Sequence, residues 1–179
     1  MLKIVQIGDP ALRKISKDVS AKEIKTGEIK KLLEDLSESL RSRDDGVGLS
    51  APQIAINKRV FVVSGKVFDK NWLKNKNDVS DKLYFDQYFI NPVIIKKTKK
   101  LSVAEEGCLS IPNLYGNVKR PVGVTIEYIN ESGEKQTKKA TGFVARIFQH
   151  EIDHLDGILF TDKATDIVKL KNTKENDEL

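Results

Sequence analysis

Both histidines of this 179-residue chain fall in one short run, His150-Glu151-Ile152-Asp153-His154. Four residues turn a helix by about 400°, so the two imidazoles would share a face, one turn apart, where both can reach one cation. Glu151 would project about 100° from His150, too far round for a third ligand. That position suits a carboxylate that hydrogen-bonds a water on the cation's open side. The single cysteine, Cys108, stands well upstream in Glu106-Gly107-Cys108-Leu109-Ser110. A lone cysteine is often a small buried hydrophobe. Beside a histidine pair, and next to a glycine that permits close backbone approach, it reads as the third ligand of a site whose fourth position is left to water. A thiolate, two neutral imidazoles and a divalent ion sum to one positive charge, less than with three histidines, so the water is acidified less and needs Glu151 as its base. A closed site in a metal-stabilised binding module is the alternative from another class, and it would need a carboxylate as fourth ligand.

A helix must carry the histidines. Over Phe143–Leu155, Val144, Ile147, Phe148, Ile152 and Leu155 fall on one broad apolar sector, and Gly157 sits where a helix end favours a left-handed residue. Nearer the N-terminus, Ile29, Leu32, Leu33, Leu36 and Leu40 recur at helical spacing and predict a long amphipathic helix that runs out at Asp44-Asp45-Gly46. Arg59–Val63, Tyr88–Ile95, Val122–Tyr128 and Glu134–Ala140 read as strands, the last two joined by a turn at Asn130-Glu131-Ser132-Gly133. Cys108 lies between apparent strands. Residues 65–86 are polar, rich in lysine and aspartate, and read as a surface excursion. The charged residues from about 165 to 179 read as a frayed tail. Strands first and an internal helix late predict one α+β domain over residues 1–179.

Apolar residues make up 39% of the chain and charged residues 32%, which suits a globular domain; no run approaches the eighteen or so apolar residues of a membrane span. The first residues have neither a secretory signal's apolar core nor a transit peptide's composition, so a cytoplasmic location is expected and no membrane partner. The net charge of +5 comes from scattered lysines. Only Lys96, Lys97, Lys99 and Lys100 form a dense group, which reads as a turn or strand edge and not as a nucleic-acid surface. One cysteine excludes an internal disulfide.

A third cluster, Gly46-Val47-Gly48-Leu49-Ser50-Ala51-Pro52-Gln53, lacks the Gly-Lys-Ser/Thr ending of a phosphate loop. Its small residues and proline describe a stiff backbone that another chain could approach closely. Taken with Glu106–Ser110 and His150–His154, in this order and at these separations, it makes the chain resemble the peptide deformylases. The opening Ile7–Arg13 and Ala145-Arg146 before Gln149 fit as well. Ser50 stands where the family more often has Ala, and Tyr115 where some members carry Arg. The resemblance implies antiparallel sheets packed around a central helix that carries His150 and His154, with a long helix near the N-terminus. It implies an enzyme that removes the formyl group from the formylmethionine of new polypeptides and releases formate. It also implies that Gln53 and the Leu109 N–H hold the developing oxyanion, and that the backbones of Gly48, Val47 and Gly107 line a peptide cleft. Val47, Tyr115 and Ile147 are candidates for the methionine pocket, with ordinary core packing an equal alternative. The implied ion is Fe²⁺, with Zn²⁺, Ni²⁺ or Co²⁺ also compatible, and the implied setting extends to the ribosome near the nascent-chain exit. A zinc endopeptidase, which shares His-Glu-x-x-His, is the rival enzyme.

Overall fold

Ser20 and Glu23 cap one another's backbone N–H groups at the start of Ala21–Lys25 (α1), a short helix that leads into Glu28–Arg41 (α2). This computed structural model describes residues 1–69, Trp72 and residues 84–170. The α2 stripe of Ile29, Leu32, Leu33, Leu36 and Leu40 packs on Leu49, Val60, Val62 and Ile90, as its spacing predicts. Eight strands follow among the described residues: Gly48–Ser50 (β1), Val60–Val63 (β2), Gln87–Lys97 (β3), Leu101–Cys108 (β4), Ile111–Pro121 (β5), Gly123–Ile129 (β6), Lys135–Thr141 (β7) and Thr165–Lys169 (β8). Between β7 and β8 lies the helix Gly142–Leu155 (α3). The strands form a five-stranded sheet in the order β1-β2-β3-β6-β7 and a three-stranded sheet in the order β4-β5-β8. Every named pairing is antiparallel.

The expected α+β architecture is present, with α3 at its centre. One flank of α3 is apolar: Ile147, Phe148, Ile152 and Leu155 join Phe61, Val63, Phe89 and Ile126 of the larger sheet. Phe148 lies 4.8 Å from Phe89 and 5.9 Å from Phe61, ring centre to ring centre. The other flank meets the smaller sheet through polar bonds. There Arg146 donates to the Val118 carbonyl at 2.9 Å and Gln149 to the Pro121 carbonyl at 3.0 Å. The helix that carries the histidines is therefore fixed from both sides.

Three sequence expectations need correction. Cys108 does not sit between strands; it ends β4, whose partner β5 runs for 11 residues, and neither strand was foreseen. The frayed tail from about 165 begins too early, because Thr165–Lys169 pairs with β5. All five of those residues are exposed, so backbone bonds hold the strand where no apolar alternation announces it. Within the 65–86 excursion, Gly65–Phe68 forms a tight helical turn that buries Val67 completely. Residues 70–71, 73–83 and 171–179 lie outside the described residues. No described helix is long and apolar enough to cross a membrane.

Candidate metal centre

α3 presents His150 and His154 one turn apart, with ring centres 4.9 Å from each other and planes at 77°. Cys108 reaches them from β4, where the ladder with β5 slips in register between Gly107 and Cys108. One ligand atom from each of Cys108, His150 and His154 lies within 4.8 Å of the others, and Cys108 Sγ stands 3.2 Å from His154 Nε2. The sequence brings these residues together from two distant segments, and the fold does so in space.

The residue that orders His150 is Glu106, which stands in the sequence only as part of a motif. Its Oε2 lies 3.0 Å from His150 Nδ1, an arrangement that keeps the proton on Nδ1 and leaves Nε2 for a cation. Arg120 grips the same carboxylate with two N–H donors, at 2.5 Å and 2.8 Å, and Arg146 adds a third at 2.7 Å. Arg120 also donates to Asp153 at 2.8 Å, which in turn accepts from Lys163 at 2.7 Å. No sequence signal marks it, because β4 is not evident as a strand from its residues and the register slip before Cys108 interrupts the alternation that would place Glu106 and Cys108 on one face.

The charges around His150 favour a cation there. Burial pulls its basicity down, but the Cys108 sulfur and the Glu106 carboxylate outweigh that and push it up to about 10. Glu106 is opposed by burial too, yet Arg120 and His150 hold it well below the usual carboxylate range. His154 is driven well below 6.5 by burial and by its neighbour His150, so it favours the neutral form that ligates metal. Converging sulfur and nitrogen donors, one imidazole fixed by a carboxylate and the other kept neutral, fit a divalent ion.

Glu151 borders this group, buried, with Oε2 lacking any hydrogen-bond partner among the described residues. Burial raises its pKa to about 7, partly offset by His150 and by the Ser50 hydroxyl. Gly48 explains how it fits. A Cβ at Gly48 would lie 2.7 Å from Glu151 Oε1 and 3.2 Å from Ile147 Cγ2. The glycine is what lets the carboxylate rest against β1. Gln53, in the turn after β1, points its Nε2 at Cys108 Sγ from 3.5 Å.

A cleft of about 510 Å³ opens over the group, lined by Val47, Gly48, Gln53, Gly107, Leu109, Tyr115, Ile147 and Glu151 among others. The Tyr115 ring lies on Gly107, where a Cβ would come within 2.8 Å of it. Ile147 is also part of the core, so it serves packing as well as lining. His154 lies beneath the cleft floor, almost fully buried. Phe143 and Arg146 join the lining without having been singled out for it.

Residues 1–170 match the family model described as polypeptide deformylase. Peptide deformylase 2 of Clostridium acetobutylicum is 41% identical over 161 residues, covering 90% of this chain and 93% of its own. A crystal structure of a Synechococcus elongatus peptide deformylase in complex with actinonin superposes with a TM-score of 0.77 at 35% identity, covering 92% of this chain and 79% of that one. A Met-Ala-Ser-bound peptide deformylase from Acinetobacter baumannii gives 0.77 at 33% identity, covering 91% and 98%.

Proposed function

The chain belongs to the polypeptide deformylase family and removes the N-formyl group from the formylmethionine of new polypeptides, and we propose that Glu151, Gln53 and the Leu109 N–H divide that work. The observation that carries this division is the meeting of Cys108, His150 and His154 beside a buried carboxylate and an inward-pointing amide. A divalent ion held by those three residues would supply Lewis acidity and an acidified water. The rest falls to the chain. Glu151 takes the proton of the attacking water and passes it to the departing amine; burial keeps its basicity near neutrality, where one group can do both. The Gln53 N–H and the Leu109 backbone N–H are donors for the negative charge that develops on the formyl oxygen.

The peptide has an evident path. β1 and β4 are edge strands of their sheets, and both border the cleft. An extended substrate can lie between them as an added strand, passing Gly48 and Gly107, with Val47, Tyr115 and Ile147 beside its first side chain. The Acinetobacter relative is bound to Met-Ala-Ser, a peptide that begins with methionine, which supports a peptide ligand of this kind. We assign Fe²⁺ as the cellular ion, with Zn²⁺, Ni²⁺ or Co²⁺ able to use the same donors, and the cytoplasm, near the ribosomal exit, as the place where formylated chains are met. The endopeptidase alternative finds no support, since the third donor is a cysteine and the relatives above are deformylases. Formate release from formyl-Met-Ala-Ser by anaerobically prepared protein tests the reading. Cleavage of an internal peptide bond without formate would overturn it.

A further inference from the structure

A carboxamide offers two acceptor lone pairs and two donor hydrogens, and those of Gln53 can be counted. Oε1 accepts from the Ser50 backbone N–H and from the Ser50 hydroxyl, both at 2.9 Å. Nε2 donates one hydrogen to the Ser110 hydroxyl at 3.2 Å and the other to Cys108 Sγ at 3.5 Å, a long bond to a weak acceptor. Ser50 and Ser110 are fully buried and Gln53 is 2% exposed. Hydroxyls carry a desolvation cost in such places, and a methyl would fill them more cheaply. From this accounting we infer that Ser50 and Ser110 are positioning residues that clamp the Gln53 amide so that the N–H facing Cys108 Sγ can turn its donor to the reacting oxygen. The terminal torsion of a glutamine is soft. Partners on both ends of the amide hold the donor in place before the charge develops, which is where such a donor gains its effect. The inference rests on the role assigned to Gln53 above.

A double-mutant cycle on zinc-loaded protein tests it with formyl-Met-Ala-Ser. Ser50→Ala and Ser110→Ala should each lower kcat about three- to tenfold and leave KM within about twofold. In a Gln53→Ala background Ser110→Ala should cost less than about twofold, and Ser50→Ala, whose hydroxyl also bears on Glu151, should cost clearly less than it does alone. Damage unrelated to the amide would persist undiminished in that background. A second readout does not need turnover: the Gln53 side-chain NH2 resonances, assigned by loss in Gln53→Ala, should exchange with solvent faster in both serine variants. Near-normal kcat in the serine variants, losses that persist without Gln53, or unchanged exchange would overturn the clamp while leaving Gln53 its role. Near-normal kcat in Gln53→Ala would overturn the role and the clamp together.

Discussion

Replacing Glu106 by Gln keeps the side chain's shape and removes the charge on which four bonds from three partners converge. In the native site its two oxygens serve Arg120 twice, Arg146 once and His150 once. A carboxamide has one oxygen and one NH2. If the oxygen turns to His150, the NH2 faces Arg120 donors; if it turns to Arg120, His150 loses the acceptor that fixes its ring. The side chains of Glu106 and Arg120 are each 5% exposed and that of Arg146 is 10%, so solvent screens little of the mismatch. Breaking a buried ion pair from one side costs about 3–5 kcal/mol. Loss of the carboxylate behind a metal-bound histidine lowers metal affinity about 10–100-fold, or about 1.4–2.7 kcal/mol. Urea unfolding of metal-stripped protein measures the first effect, and zinc affinity by chelator competition the second. Asp153→Asn is the control. It removes a partner of Arg120 that does not touch His150, so it should lower stability and leave zinc affinity closer to the native value. The reasoning is refuted if Glu106→Gln binds zinc within about twofold of the native protein, or loses less than about 1 kcal/mol of stability.

Four further outcomes are expected. Glu151→Gln should retain the metal and lower kcat by about 10²–10⁴-fold, and a variant that turns over at a tenth of the native rate would remove Glu151 from the proton path. Because Glu151 works ionised and burial raises it to about 7, native kcat/KM should fall with decreasing pH, with a midpoint at or below about 7, since a nearby cation favours the carboxylate; a profile flat down to pH about 4.5 contradicts this. Gly48→Ala places a methyl against Glu151 and Ile147 and should cost about 1–3 kcal/mol of stability together with most of kcat, checked by thermal melting and formate release on the same sample. Away from the site, Glu23 is lowered from 4.5 to about 2 by its bond to Lys58 and by the Ser20 backbone N–H and hydroxyl. A depressed carboxylate stabilises above its unfolded value and loses that contribution as pH falls through the folded one. The melting difference between native protein and Glu23→Gln should thus be full above about 4.5 and vanish towards about 2; a difference independent of pH would exclude the ion pair as its source.

What could be read in advance is what depends on short spacings. His150 and His154 share a face because any helix would place them so, and the α2 stripe and the turn after Ile129 are likewise local. Glu106 became visible only once β4 and β5 were in register. Arg120 is 14 residues away in the chain; the ladder sets it opposite Ser102, four residues along β4 from Glu106, and its long side chain reaches the carboxylate. No periodicity in either strand encodes that. β8 shows no pattern for the opposite reason: all its residues are exposed, and its place is set by backbone pairing with residues 114–117.

The same division explains why two kinds of glycine occur in the 46–48 segment. Gly46 is required by its own neighbourhood, since a Cβ would strike the Leu40 carbonyl oxygen at 2.9 Å and the Leu40 side chain at 2.8 Å, just after α2 ends. Gly48 is required by a residue more than a hundred positions later, the carboxylate of Glu151 at 2.7 Å. Ala at either site would crowd the fold, but only at Gly48 does the crowding press on the proton-transfer group. Relief by enlarging space therefore separates them. Glu151→Asp in the Gly48→Ala background should recover stability and no turnover, because the shorter acid escapes the methyl by withdrawing from the water it must reach. Leu40→Val should relieve Gly46→Ala in stability and activity alike. Turnover restored by Glu151→Asp would show that the carboxylate's position against β1 does not matter to the chemistry.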